Sequence, residues 1–146
     1  MKPLAKILFA MLLPVLTLMY SCLSHKKTVR EKTGGCLPMQ LIDSVPAKGD
    51  YYTLDSLAVS GDCLNVYVTY DGGCGTADAK LYYTNRVMES FPPKTVLYFC
   101  FADNDACRSM IQKSFSFDLT PFSQKASSGG IWLKIAGTGK KVLYKK

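Results

Sequence analysis

After residue 50, apolar and polar residues alternate along much of the chain, and short groups of turn residues separate the alternating runs. In the clearest run, one face carries Leu64, Val66, Val68 and Tyr70. The residues between them are more polar, so this run has a period of two. Such alternation predicts a β-strand with one buried face and one face toward solvent.

Further strands are predicted over residues 54–60, 80–84, 95–101, 111–119, 131–136 and 141–144. The run over 95–101 is apolar throughout, which predicts burial on both faces. Gly61-Asp62 and Gly137-Thr138-Gly139 predict tight turns between neighbouring strands. Residues 106–112 could form a short helix, although a strand is preferred there. The sequence therefore predicts an all-β fold, an antiparallel β-sandwich (Ig-like) or a small barrel, in a single domain over residues 36–146.

The first 21 residues follow a different pattern. Two lysines precede a 13-residue apolar run over residues 7–19, and Ser21-Cys22 follows shortly after it. A basic start, a short apolar run and a small residue at the cleavage point are typical of a secretory signal, and the run is too short to span a membrane. The cysteine at this junction resembles the lipobox of bacterial lipoproteins. An ordinary signal peptide and a short uncleaved anchor are the alternatives.

The lipobox resemblance implies a lipoprotein signal peptide at residues 1–21 and a lipid-anchored flexible tether at 22–35. Cys22 would carry the diacylglycerol and palmitate chains that anchor the protein to a membrane. Leu23 resembles the signal for passage to the outer membrane. The acidic residues of a surface-export tag are absent from 24–27. We therefore expect a cell-envelope protein anchored in the outer membrane and facing the periplasm.

Charge adds little to this picture. Without residues 1–21 the chain has 16 basic and 11 acidic residues, a net charge of +5. The basic cluster in the tether could approach an anionic membrane surface, although a solvated linker is the preferred explanation. The charges form no stripe with interleaved aromatic residues, so we expect no nucleic-acid partner.

Five cysteines remain in the exported domain: Cys36, Cys63, Cys74, Cys100 and Cys107. In an oxidising compartment they can form at most two internal disulfides, and the sequence leaves fifteen choices of two pairs open. Cys74 with Cys107 is the preferred pair because each lies in a loop at the end of a predicted strand. Cys36 with Cys63 is a weaker second choice. Cys100 lies within a strand, which indicates a small buried hydrophobic residue.

Three short motifs resemble those of a group of uncharacterised Bacteroidetes-type lipoproteins: Gly72-Gly73-Cys74, the 104–107 segment and Asp118-Leu119-Thr120. The resemblance covers residues 59–144. It implies a small lipid-anchored β domain in which the two loop cysteines are paired, and it implies no activity. The group carries histidine or aromatic residues where this chain has Ala77, Ala79 and Cys100, so a function that depends on them elsewhere is not expected here.

The candidate chemistry argues against catalysis. The only histidine is His25, in the tether, so a Ser-His or Cys-His nucleophile is not available within the domain. No Cys-x-x-Cys pair occurs, which disfavours a zinc site. Asp103 and Asp105 could offer oxygen ligands to calcium, but aspartates are common in turns. We predict no catalytic residue, no metal and no cofactor.

The domain is rich in tyrosine, at positions 51, 52, 67, 70, 82, 83, 98 and 144. Exposed tyrosines would suit recognition of a protein or glycan partner, whereas strand propensity and core packing explain them without a partner. Ser44 and Ser56 each lie in an Asp-Ser-aliphatic triplet that resembles an O-glycosylation site of exported Bacteroidetes proteins. The predicted function is a non-enzymatic binding or assembly module of the envelope; the alternative is a ligand or metal site at the Cys74 and Cys107 loops.

Overall fold

The structure, a computed structural model, describes residues 35–146. The described chain forms eight strands: β1 (Gln40–Leu41), β2 (Thr53–Ser60), β3 (Cys63–Gly72), β4 (Thr76–Met88), β5 (Lys94–Asn104), β6 (Ser109–Asp118), β7 (Ile131–Ile135) and β8 (Lys141–Tyr144). A 3-10 turn (Thr120–Phe122) and one short helix, α1 (Ser123–Ser127), lie between β6 and β7. The all-β fold is therefore confirmed.

The strands form two sheets that pack as a sandwich. One sheet has five strands in the order β1-β4-β5-β7-β8, and the other has three in the order β2-β3-β6. Within the described residues the two sheets do not close into one ring, so the barrel alternative is wrong. The predicted turns at Gly61-Asp62 and Gly137-Thr138-Gly139 join β2 to β3 and β7 to β8 in antiparallel pairs.

Two strand pairs are parallel, which the expected antiparallel sandwich did not include. β1 pairs with β4 and β5 pairs with β7 in parallel registers. β5 and β7 run the same way because β6, the 3-10 turn and α1 return the chain to the end at which β5 began, a crossover that parallel pairing requires. The sheet is therefore mixed.

The core lies between the inner faces of the two sheets. Leu64, Val66 and Val68 of β3 are fully buried, as their alternation predicts. β5 departs from the expectation of burial on both faces. Its inward residues, including Leu97, are buried, whereas the outward Cys100 is only half-buried. The outer face of β5 is covered by a loop segment and not by a second layer of structure.

The helix α1 was not predicted, and the preferred strand over 106–112 lies largely in β6. Pro121 occupies the first turn of the 3-10 segment, where its fixed φ is favourable and its missing N–H is harmless. The Asp118 carboxylate accepts the Thr120 backbone N–H at 2.9 Å. These two residues carry the local signal for the turn, and Phe122 and Ala126 bury its inner side.

Contacts on both open sides join the two sheets. On one side, Leu37 pairs with β6, donating its N–H to Ser116 O at 2.7 Å, and β1 follows it and pairs with β4. On the other side, the buried Tyr144 of β8 donates its hydroxyl to Asp62 Oδ1 in the β2–β3 turn at 2.5 Å. Lys146 completes this contact with an ion pair to Asp62 Oδ2 at 3.0 Å.

The two ends of the sandwich carry different segments. The chain-entry end holds Cys36, the β2–β3 turn, the β4–β5 loop (89–93) and residues 145–146. The far end holds the β3–β4 loop (73–75) and the β5–β6 loop (105–108). Each end has one disulfide, so that the two bridges lie at opposite ends of β3.

Candidate functional site

The far end brings together the two cysteines of the preferred pair. Cys74 follows β3 and Cys107 precedes β6, and their disulfide has a Cα–Cα distance of 5.8 Å. At the chain-entry end, the second expected pair, Cys36 and Cys63, is joined with a Cα–Cα distance of 6.1 Å. The structure thus contains both pairs that the sequence favours, and together they make one of the fifteen choices of two pairs that it left open.

The Asp105 carboxylate lies against the Cys74–Cys107 disulfide and links the β3–β4 and β5–β6 loops by hydrogen bonds. It accepts backbone N–H groups from Gly73, from Cys74 at 3.0 Å and from Cys107 at 3.0 Å. Hydrogen bonds from the backbone N–H groups of Gly75 and Cys107, and then of Gly73 and Cys74, lower the pKa of this carboxyl. Asp105 therefore sits in a backbone anion-binding loop, where it fills the place of an external anion.

Gly75 allows the loop to close around this carboxylate. A Cβ at residue 75 would lie 2.6 Å from the Asn104 carbonyl oxygen and 2.8 Å from the Asp105 Cα. Both atoms belong to the backbone, which cannot move aside as a flexible side chain would. The glycine is thus required by the close approach of the two loops.

The same cluster tests the alternative of a metal site. The Cys74 sulfur, the Cys107 sulfur and a carboxylate oxygen of Asp105 lie within 4.8 Å of one another. The sulfurs are bonded to each other, however, and a disulfide offers no thiolate to a metal ion. The Asp105 oxygens already accept several N–H groups. Asp103 is also occupied, because its Oδ1 accepts the Asp105 N–H at 2.9 Å. This arrangement is suited to holding the loops together.

A second feature is a groove on the outer face of β5, which the sequence did not predict. The segment 45–52 crosses the open edge of β5 beyond β7, from Ala47 at the outward Cys100 to Tyr52 at the inward Phe99, and leaves a cavity of about 560 Å³ beside it. We call this cavity the outer groove; it is lined by the 45–52 segment, by Tyr98 and Cys100 of β5, and by residues 136–138 of the β7–β8 turn. Its shape and size fall in the range of small-ligand sites.

Backbone contacts fix the segment that forms the groove. The Asp50 N–H donates to Phe101 O at 2.8 Å, and an Asp50 carboxylate oxygen accepts the Asp103 N–H at 2.8 Å. Gly49 passes so close to β5 that a Cβ there would collide with the backbone oxygen of Phe101. Gly49 was the one local signal for this crossing, since a glycine permits close approach of two backbones.

Cys100 is the free cysteine among the described residues. Its thiol lies in the outer groove and donates to Ala47 O at 3.5 Å. Burial raises the pKa of this thiol, and the nearby Lys80 only partly opposes the effect. The thiol is therefore largely protonated near neutral pH, which makes it a weak nucleophile. Cys100 is half-buried at a surface groove, so its interpretation as a core residue is wrong.

The tyrosines divide between core and surface. Tyr70 and Tyr144 are buried, whereas Tyr51 is 85% exposed at the outer groove. Tyr52 also borders the groove and packs its ring 5.0 Å from that of Phe99. Burial, followed by the neighbouring Cys100, raises the pKa of Tyr52. The groove thus brings together Tyr51, Tyr52 and Tyr98, three of the tyrosines that would suit recognition of a partner.

The other predicted positions have separate locations. Ser44 is exposed in the segment between β1 and β2, and Ser56 is exposed on β2 beside a bulge. Neither lies in the outer groove, and their glycosylation stays a prediction. Cys22, His25 and the signal at 1–21 lie outside the described residues. Among the helices of residues 35–146, none is long and apolar enough to cross a membrane.

Comparisons with known proteins give a distant likeness in fold. No family model matches the chain, and no curated protein matches it. Among solved structures, a protein of unknown function (DUF1344) from Bacteroides vulgatus aligns with a TM-score of 0.47 and 14% identity, over 76% of this chain and 57% of its own. A candidate toxin-related protein from Parabacteroides distasonis aligns with a TM-score of 0.42 and 13% identity, over 75% of this chain and 61% of its own.

The chain spans about three fifths of the length of these two proteins. Both come from the bacterial group whose lipoproteins the sequence resembles. At these identities and TM-scores the likeness assigns neither a family nor a function to this chain.

Proposed function

We propose that this protein is a lipid-anchored domain of the cell envelope that acts as a non-enzymatic binding module, with the outer groove as its ligand site. The observation that carries this proposal is the groove itself. It combines a volume of about 560 Å³ with a lining that includes Tyr51, Tyr52 and Tyr98. Tyrosine rings supply apolar faces and hydroxyl groups together, which suits a glycan or a protein segment of the envelope.

The chemistry of the groove supports binding over catalysis. The Cys100 thiol is the nucleophilic group there, and burial raises its pKa. The 35–146 sequence contains no histidine that could deprotonate it. A cysteine nucleophile needs a lowered pKa or an adjacent base, and this groove supplies neither.

The anchor at Cys22 is supported by the sequence around it and by the two disulfides of the domain. A short apolar run ending in Ser21-Cys22 suits lipoprotein processing. Disulfides persist in exported proteins and are rare in reducing compartments. On this proposal the protein is attached to the outer membrane and faces the periplasm.

Membrane fractionation tests the anchor. Cys22→Ser should move the protein from the membrane fraction to the soluble fraction without changing its thermal unfolding, because residue 22 precedes the 36–146 domain in sequence. Cys100→Ser is the matched control, and it should stay in the membrane fraction. Continued membrane attachment of Cys22→Ser would refute the lipid anchor.

Variants of two tyrosines that line the outer groove test it. Tyr51→Ala and Tyr98→Ala should weaken retention of the protein on immobilised envelope polysaccharide or on immobilised envelope proteins, and the two supports separate the two kinds of partner. Tyr67→Ala is the control, since Tyr67 is 40% exposed on the other sheet. If both groove variants are retained to the same extent as Tyr67→Ala on each of the two supports, the groove is not the binding site.

Metal analysis separates the proposal from the alternative at the Cys74 and Cys107 loops. We expect the oxidised whole chain to contain no stoichiometric metal after purification, because both sulfurs are held in a disulfide. A metal present at one equivalent, and lost in Asp105→Asn, would move the binding site to the far end.

A further inference from the structure

The β4–β5 loop presents an unusual apolar tip at the chain-entry end. Phe91 is 96% exposed there, and Met88 beside it is 48% exposed. A single exposed apolar residue needs no explanation. Here, however, the tip projects from the same end of the sandwich at which the chain enters the domain, at Cys36.

Charge is distributed unequally between the two ends. Among residues 35–146, five cations lie at the chain-entry end: Arg86, Lys94, Lys125, Lys145 and Lys146. Three acids of the same range lie there: Asp62, Glu89 and Asp118. At the far end the balance is reversed, since the acids Asp50, Asp71, Asp78, Asp103 and Asp105 accompany the cations Lys48, Arg108 and Lys113, whose ammonium contacts Ala77 O. The exposed phenylalanine is thus at the basic end of the domain.

An exposed apolar residue at a basic end of a domain is complementary to an anionic lipid surface. The ring can enter the boundary between headgroups and acyl chains, while the cations approach the lipid phosphates. We propose that the chain-entry end of the domain docks on an anionic bilayer, with Phe91 inserted into the interface. The anchor of the proposed function brings the domain to the membrane, and this docking orients it there.

The tether alone does not impose this orientation. Thirteen residues lie between Cys22 and Cys36, and a chain of this length reaches up to about 50 Å when extended. A tethered domain is nevertheless confined near the surface, so a weak interfacial contact is enough to keep it docked. Docking by the chain-entry end leaves the far end pointing away from the bilayer.

Tryptophan fluorescence of the whole chain tests the docking. In a Trp132→Phe background, Phe91→Trp places the sole tryptophan at the tip, and Met110→Trp places it at an 81% exposed site of the far end. Each protein is reconstituted in phosphatidylethanolamine–phosphatidylglycerol vesicles that contain a brominated lipid. We expect residue 91 to emit at shorter wavelength and to be quenched, and residue 110 to keep the emission of a solvent-exposed tryptophan.

Removing charge tests the electrostatic part. In the Phe91→Trp background, Lys94→Gln and Arg86→Gln should each lower the docked-to-undocked ratio, read from the quenched fraction, by roughly fivefold. Phosphatidylcholine vesicles should lower it further. Equal quenching of residue 91 in both kinds of vesicle would overturn the role of anionic lipid.

Vesicle flotation distinguishes failure of this inference from failure of the anchor. If the chain floats with the vesicles but the tryptophan at position 91 is neither shifted in emission nor quenched, the docking is overturned and the lipid anchor stands. Flotation of Cys22→Ser with residue 91 still quenched supports the docking and overturns the lipid anchor. A wild-type chain that does not float overturns both.

Discussion

The two ends of the sandwich are built from the same parts, a disulfide and an aspartate, but they use the aspartate differently. Asp62 at the chain-entry end accepts hydrogen bonds from the side chains of Tyr144 and Lys146, and so joins the two sheets. Asp105 at the far end accepts backbone N–H groups, and so joins two loops. The hydrogen bonds of Asp62 depend on which side chains occupy positions 144 and 146. Those of Asp105 depend only on the backbone conformation of the two loops.

The largest expected effect comes from removing the disulfides. Their sequence separations are 27 residues for Cys36–Cys63 and 33 for Cys74–Cys107. In the chain-entropy model, loss of either bridge lowers the free energy of unfolding by about 3–4 kcal/mol, with almost no difference between the two loops. Double Cys→Ala variants, measured by urea unfolding, check this value.

A difference between the two double variants would report on the folded state. Cys36 is buried and precedes the Leu37 pairing with β6, whereas the Cys74 loop is exposed. We therefore expect Cys36→Ala/Cys63→Ala to be the less stable of the two. A larger loss for Cys74→Ala/Cys107→Ala would show that the far end contributes more to the core than its exposure indicates.

The second effect concerns the hydroxyl of Tyr144. Tyr144→Phe removes the hydrogen bond to Asp62 and should lower the free energy of unfolding by roughly 1 kcal/mol. Burial and the Asp62 carboxylate raise the pKa of Tyr144. Its stabilisation is complete below the ordinary tyrosine pKa near 10 and is lost as the pH rises above it.

Alkaline unfolding measures this contribution. The stability of the wild type should fall above about pH 10, and the fall should be smaller in Tyr144→Phe. Tyr51→Phe, at an exposed tyrosine, serves as the control and should unfold at the wild-type pH. If Tyr144→Phe loses as much stability at alkaline pH as the wild type does, the hydroxyl of Tyr144 has no such role.

Much of the fold followed from local pattern, and pairing between distant segments did not. The alternation of β3 and the glycines of two turns specified strands and hairpins, because both depend on neighbouring residues. The parallel pairing of β5 with β7 depends on a crossover of more than 25 residues between Asn104 and Ile131, which no local pattern encodes. The helix α1 was missed because it is only one turn long.

The sites show the same division. The Cys74–Cys107 disulfide was favoured from the placement of both cysteines in loops, and Cys36–Cys63 was the weaker second choice. The outer groove was not predicted, because the 45–52 segment has no hydrophobic period and is positioned by backbone contacts to Phe101. Its local signal was Gly49, and a single glycine has many explanations. The exposure of Phe91 also depends on which end of the sandwich the loop occupies.

A third effect sharpens the description of the far end. Asp105→Asn replaces a carboxylate in the backbone anion-binding loop by an amide, which is a poorer acceptor for several N–H groups. Because the pKa of Asp105 is lowered by those N–H groups, the stabilisation is present above the ordinary aspartate pKa near 4 and is lost as the pH falls below it. The variant should be less stable at pH 7. Its free energy of unfolding should also fall less steeply than that of the wild type as the pH is lowered.

Acid unfolding of three proteins checks this expectation. Wild type, Asp105→Asn and Glu89→Gln are compared between neutral and acidic pH. Glu89→Gln removes an exposed carboxylate at the opposite end, and its stability should fall with acidification as that of the wild type does. If wild type and Asp105→Asn lose the same stability between neutral and acidic pH, the loops close without the charge of Asp105.

The smallest effect on stability is expected at Cys100, which belongs to neither end. Cys100→Ser removes a half-buried thiol outside both disulfides, so the free energy of unfolding should change by no more than about 0.5 kcal/mol. Its reactivity is more informative. Because burial raises the thiol pKa, alkylation in the folded chain should be slow at neutral pH and should accelerate by about tenfold per pH unit until that pKa is reached.

Labelling in urea provides the comparison, since unfolding removes the burial and should accelerate alkylation at neutral pH. The labelled thiols also count the cysteines outside the two bridges. The acylated chain should show one free thiol, and Cys100→Ser should show none. Equal labelling rates in the folded and unfolded chain would mean that the 45–52 segment does not cover Cys100, and the outer groove would then lose the wall on which its role as a binding site depends.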